Sequence, residues 1–210
     1  MRLKRWLAAG LAALTAVSVG ACKGGGQPSG DGAEVWFAPS TDKIMLDGEY
    51  TDRNTTALEL SMARNEYELG QIILTANEDL DSYSVTVSDL IGPGDEIPAS
   101  DISLYNLGYL DGSKERSETE YAREGMFPDI MVPFDKAAEY GETTAQRGQN
   151  KSIAVKVKTT KDTKPGEYTG TFTVTAEEHT YTAPVKVTVW DYEVPDTVST
   201  AVSYTHLTLP

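Results

Sequence analysis

The sequence predicts an all-β protein, an antiparallel β-sandwich of immunoglobulin-like or jelly-roll-like type. Three observations carry this. Short apolar runs alternate with period two, turn residues separate them, and no long stretch shows a helical stripe. The 210 residues are 40% apolar and 24% charged, enough chain for one domain with a sizeable core.

Taken in order, Thr56 to Met62 places Leu58, Leu60 and Met62 on one face. Ile72-Ile73-Leu74 is a short continuous apolar run, which between alternating runs reads as a central strand. Ser82–Asp89 repeats the alternation with Tyr83, Val85 and Val87. Ile153, Val155 and Val157 form another such set, then Tyr168, Phe172 and Val174, then Val185, Val187 and Val189. Gly92-Pro93-Gly94-Asp95 breaks the chain after a strand. Asp162-Thr163-Lys164-Pro165-Gly166 puts Pro and Gly at the centre of a type II turn. Glu177-Glu178-His179-Thr180 reads as a hairpin tip, and Ala137 to Tyr140 as one turn of helix. Asp111 to Gly125 reads as a long surface excursion, because Asp111 to Glu120 has no apolar side chain. Phe127 to Pro133 returns the chain along an edge, where its two prolines are tolerated.

Composition narrows the chemistry. The formal net charge is -14, so nucleic acid is not an expected partner, since polyphosphate binding wants a basic surface. One Cys excludes an internal disulfide and any four-Cys zinc site. Only two His are present. Asp42, Asp47 and Asp52 match no calcium loop, and surface acids are the better reading. The Gly24-Gly25-Gly26 run precedes no strand or helix, so it is no phosphate loop. No cofactor and no metal site is expected.

Both ends differ from the body. Residues 1–21 carry Arg2, Lys4 and Arg5, no acid, and an apolar run from Trp6 to about Val19. This is the pattern of a secretory signal, too short for a comfortable membrane span. It ends Val19-Gly20-Ala21-Cys22, which resembles a bacterial lipobox. Cleavage is then expected after Ala21, and Cys22 is the expected lipid-attachment residue. An acylated Cys22 would hold the protein to membrane lipid without spanning it. Residues 22–32 continue as a flexible Gly-rich linker. Removing the signal deletes three positive charges and no acid, leaving about -17. An anionic membrane would repel such a surface, so lipid and not a basic patch makes the anchor. The expected location is the bacterial cell membrane or cell surface, lipid-anchored and extracytoplasmic. Residues 202–210, Val202 to Pro210, resemble the read-through of a transposase-type sequencing adapter. Such a scar is kept out of fold reasoning, and His206 carries no weight. The sandwich is then assigned to residues 33–201, and the gene is expected to continue beyond them.

Several phrases also occur in order. These are Ala63-Arg64-Asn65-Glu66-Tyr67-Glu68, Val87-Ser88-Asp89-Leu90, Leu107-Gly108-Tyr109-Leu110 and Pro128-Asp129 to Pro133. Gly148-Gln149-Asn150, Lys164-Pro165-Gly166-Glu167-Tyr168-Thr169-Gly170 and Val189-Trp190-Asp191-Tyr192 follow. From about Leu58 to Pro195 the set resembles the N-terminal β-sandwich of proteins similar to glycoside hydrolase family 123. The resemblance implies a (β/α)8 barrel after the sandwich as its partner. That barrel would carry the paired acids that hydrolyse β-N-acetylgalactosaminides, with help from the substrate's acetamido group. It implies no catalytic residue in this stretch.

The residues agree with a non-catalytic role. Glycoside hydrolysis needs two placed carboxyl groups. Asp129 and Asp191 lie in the matched phrases, yet loop and strand-end acids commonly act as local acceptors. His179 sits at a hairpin tip, a poor place for a buried general base. Trp36, Tyr105, Tyr109, Tyr168, Trp190 and Tyr192 are candidates for stacking on sugar rings, although strand aromatics are core residues by default. Tyr121 is the aromatic expected to be exposed. Trp190, Tyr109, Tyr121 and Asp129 are therefore the candidate contacts for glycan or for the barrel. The expected protein is the sandwich of a surface lipoprotein whose barrel hydrolyses glycosides. The alternative is a complete glycan-binding or adhesion lipoprotein without a barrel.

Overall fold

The computed structural model describes residues 32–112 and 125–197. In chain order the strands are β1 (Ala33–Pro39), β2 (Leu58–Arg64), β3 (Tyr67–Ala76), β4 (Tyr83–Val87), β5 (Leu90–Gly92) and β6 (Asp95–Ile97). They continue as β7 (Ile102–Asp111), β8 (Met126–Pro133), β9 (Asn150–Lys158), β10 (Gly166–Ala176) and β11 (His179–Glu193). Helix α1 (Phe134–Glu139) lies between β8 and β9. The first sheet runs β1-β3-β9-β7-β8, and the second runs β2-β11-β10-β5-β6 with β4 also on β10. The two form an all-β sandwich.

Alternation decides which side chains are inside. Leu58, Leu60 and Met62 of β2, Tyr168, Phe172 and Val174 of β10, and Val185, Val187 and Val189 of β11 are all buried. They share one core cluster with Ile72, Leu74, Ile153, Val155 and Val157 of the first sheet. Each such side chain contributes about 1.5–3 kcal/mol on burial. Ile73, which breaks the alternation, is buried on the opposite face of β3 with Trp36, Ala38 and Ile44. The segment 40–57 covers that face, and so a central strand can be apolar on both sides.

Two expectations need correction. The sheets are not wholly antiparallel, because β2 runs parallel to β11, with Leu58 opposite Val185 and Met62 opposite Val189. The chain then crosses from the second sheet to the first through Asn65, whose φ is 59°. A short polar turn can change sheets because it does not have to return the chain beside itself. The second correction is the turn after β9. It closes from Thr163 N–H to Thr160 O, so its central residues are Lys161 and Asp162, four positions before the Pro-Gly pair. Thr163 Oγ1 accepts from Thr160 N–H at 2.9 Å, and this side-chain bond fixes the bend instead. Gly166 begins β10 at φ 146°, and a Cβ there would lie 2.5 Å from Pro93 Cγ.

β7 ends at Asp111 and β8 opens at Met126, on either side of the expected excursion. Asp111 pairs with Met126, and Gly112 N–H donates to Gly125 O at 2.9 Å. Residues 113–124, with Tyr121, lie outside the described residues, as do residues 1–31 with Ala21 and Cys22. β8 is an edge strand carrying Pro128 and Pro133, as its prolines require.

Candidate functional site

One end of the sandwich carries the exposed aromatic side chains Tyr67, Trp190 and Tyr192. β2 ends there, β3 begins, β9 ends and β11 leaves. Val189 is the last β11 residue paired with β10, opposite Gly166. Beyond it β11 overhangs β10, and Glu193 pairs with Arg64 of β2. The outward positions of this overhang are Trp190 and Tyr192. They are 42% and 53% exposed and stack with ring centroids 5.7 Å apart at 17°. A parallel, solvent-facing aromatic pair is a platform for an apolar or sugar surface.

Polar contacts brace the overhang. Val194 N–H donates to Arg64 O at 2.9 Å, and Asn65 Nδ2 donates to Val194 O at 2.7 Å and Asp196 Oδ1 at 2.9 Å. Lys161 pairs with Asp196 and, at 3.8 Å, with Glu193. Hydrogen bonds from Lys161 and Asn65 hold the Asp196 carboxyl below its usual range. Asp191 is largely exposed and reaches Arg64 at 3.8 Å.

The outer face of the first sheet ends in a second group. Register places Leu69 opposite Lys156 and Lys156 opposite Ser103. The Lys156 ammonium lies 4.9 Å over the Tyr67 ring and 5.7 Å over the Tyr105 ring. Tyr67 is 55% exposed. Neither Tyr67 nor Lys156 stands out in the linear sequence. The local signal is Lys156 and Lys158, which alternate with the core-facing Val155 and Val157 on β9.

The remaining candidates are spread apart. Tyr109 is engaged internally, since its hydroxyl donates to Asn150 O at 2.7 Å and accepts from Ser152 N–H at 3.2 Å. Burial pushes its pKa up to about 12. Asp129 is exposed on β8 and lies 3.8 Å from Lys43. Trp36 and Tyr168 are core residues, 3% and 0% exposed. A cleft of about 500 Å3 is lined by Trp36, Tyr50, Asp42, Asp52 and Lys43. Its indole offers no free face, because Arg53 and Tyr50 both cover it at 5.4 Å. Asp95 is the other acid with a displaced pKa. Backbone N–H bonds from Lys164 and Glu96 hold it down, opposite to the direction a general acid needs. Among the described residues no group of three metal-ligating side chains occurs.

The model of the glycoside hydrolase 123 N-terminal domain matches residues 46–176. Among solved structures, a family 123 glycoside hydrolase from Clostridium perfringens, studied for glycolipid glycan hydrolysis, is similar with a TM-score of 0.64. The two are 21% identical, and the match covers 78% of this chain and 28% of that one. This chain therefore spans well under half of that enzyme's length, and the likeness bears on fold alone. The CooA pilin subunit of enterotoxigenic Escherichia coli has a TM-score of 0.35 at 12% identity, covering 70% of this chain and 99% of that one. That score is too low to carry an argument. No curated protein matches the chain. The matched segment spans β2 to β10, all but the first and last strands of the sandwich, and the chain belongs to the glycoside hydrolase 123 N-terminal domain family.

Proposed function

We propose that this sandwich is the non-catalytic N-terminal part of a surface lipoprotein whose C-terminal (β/α)8 barrel hydrolyses glycosides of the β-N-acetylgalactosaminide type. The family match over residues 46–176 is the observation that carries the reading. The 28% coverage of the Clostridium perfringens enzyme supports a parent with a large further part. Trp190 and Tyr192 stand exposed where β11 leaves the sandwich. A following domain would find its first apolar surface there, and we assign the pair to packing against the barrel. The lipid anchor is assigned to Cys22, in the sequence Val19-Gly20-Ala21-Cys22.

The decisive experiment is recovery of the genomic reading frame past codon 201. A barrel-sized frame with neighbouring acids at one strand end is expected. A native stop codon near that position would sink the enzyme reading and leave a glycan-binding or adhesion lipoprotein. The anchor is tested by Cys22→Ala, which should abolish lipid labelling and release the protein from membranes. Unchanged retention would place the anchor elsewhere.

A further inference from the structure

Charge is unevenly distributed on this molecule. The chain has 32 acids against 18 Lys and Arg. Yet the outward positions from Tyr67 to Gln71 on β3, Ser103 to Leu107 on β7 and Ala154 to Lys158 on β9 include no Asp or Glu. Lys156 lies at the middle of this face. Among the described residues it forms no ion pair, whereas Lys43, Lys136, Lys161 and Lys186 all do. Its ammonium is held between two tyrosine rings instead.

That arrangement has a specific chemistry. Tyr67 lies opposite Lys158 on β9 and Tyr105 opposite Ala154, so the two rings flank Lys156 diagonally, 4.9 Å and 5.7 Å from its ammonium. Half-buried Leu69 and Leu107 lie on the same outward face. Aromatic rings offer flat apolar faces to the C–H side of a sugar, and the ammonium between them offers three donors and a charge. A neutral glycan would want acceptors as well as donors, and carboxylates supply them in most polar sites. Here the charged group is a cation that no carboxylate among the described residues neutralises. The cation–π contacts fix the ammonium without satisfying it, so an anion can still bind to it.

We propose that the Tyr67–Lys156–Tyr105 face binds an acidic glycan, with sugar rings on the two tyrosines and a sulfate or carboxylate on Lys156. The site uses the sandwich alone and stands independently of any barrel.

The test is calorimetric titration of the full chain with three oligosaccharides of equal length: a sulfated galactosaminoglycan, an oligogalacturonate and an uncharged galactan. Either acidic ligand binding at least about tenfold more tightly than the galactan supports the proposal, and the tighter of the two identifies sulfate or carboxylate. Lys156→Gln should weaken that binding about tenfold, the size of one lost charge-assisted hydrogen bond. Lys156→Arg should retain most of it, and Tyr67→Ala should weaken it with an unchanged thermal midpoint. Equal binding of all three ligands, or of none, overturns the proposal. So does equally tight binding of polyglutamate that Tyr67→Ala leaves unaffected, because that would be charge attraction without sugar stacking. Protection of Lys156 from amine acetylation in a longer parent protein, without glycan, would assign the face to another domain and also overturn it.

Discussion

Asn150 offers the sharpest check on how the outer layer is held. Its side chain is fully buried. Nδ2 donates to Met45 O at 3.1 Å and Gly48 O at 2.7 Å, and Oδ1 accepts from Thr75 Oγ1 at 2.7 Å. Thr75 Oγ1 in turn accepts from Trp36 Nε1 at 2.9 Å. One amide thus ties the segment 40–57 to β9, β3 and β1. Asn150→Ala removes three hydrogen bonds at about 1 kcal/mol each and leaves the Thr75 hydroxyl without its acceptor. The expected loss is about 3–4 kcal/mol, a large part of the 5–15 kcal/mol usual for a domain. Urea unfolding followed by tryptophan fluorescence should show the midpoint falling by roughly 1–2 M at unchanged slope. Thr75→Val in the Asn150→Ala background should cost less than in the native chain, because their shared bond is already gone. A loss below about 1 kcal/mol for Asn150→Ala, or strict additivity with Thr75→Val, would refute the reasoning.

Two further outcomes follow from local geometry. Gly166→Ala should destabilise the protein by more than about 2 kcal/mol by denaturant unfolding, and Gly141→Ala by about 1 kcal/mol. Both have positive φ, but only Gly166 would press a Cβ into Pro93, whereas nothing lies within 4 Å of Gly141. Asp95 has a lowered folded pKa, so its stabilisation is complete above the unfolded carboxyl pKa and lost as pH falls through the folded value. Asp95→Asn should therefore flatten the acid limb of the stability profile below about pH 4, and an unchanged limb would contradict the assignment.

The legible strands were those with one wet face. β2, β4, β10 and β11 each alternate, because water on one side and core on the other impose period two, and β9 does so only from Val155 to Lys158. β1 and β7 gave a weaker signal. In β1, Trp36 and Ala38 are covered by the segment 40–57, so burial runs nearly unbroken from Ala33 to Ala38. In β7, Asn106 occupies an inward position and is fully buried, where Tyr83 Oη donates to it and its own amide donates to Glu142 O. A polar residue there breaks the apolar pattern while its hydrogen bonds make burial tolerable. Of the candidate aromatics, Trp36 and Tyr168 are core residues, the default for strand aromatics, and Trp190 is exposed. Sequence reasoning did not find Tyr67 beside Lys156, which are 89 positions apart in the chain and adjacent only through β3–β9 pairing.

By itself the sequence determined the fold class, the main core positions and the family, because alternation, turn residues and ordered phrases are local properties of the chain. The tertiary structure decided the parallel docking of β2 on β11, the covering of the outer face by residues 40–57, and which aromatic rings remain in water. Those depend on strand register and on which segment packs over which face. Both arise from contacts between distant residues, and no local pattern encodes them.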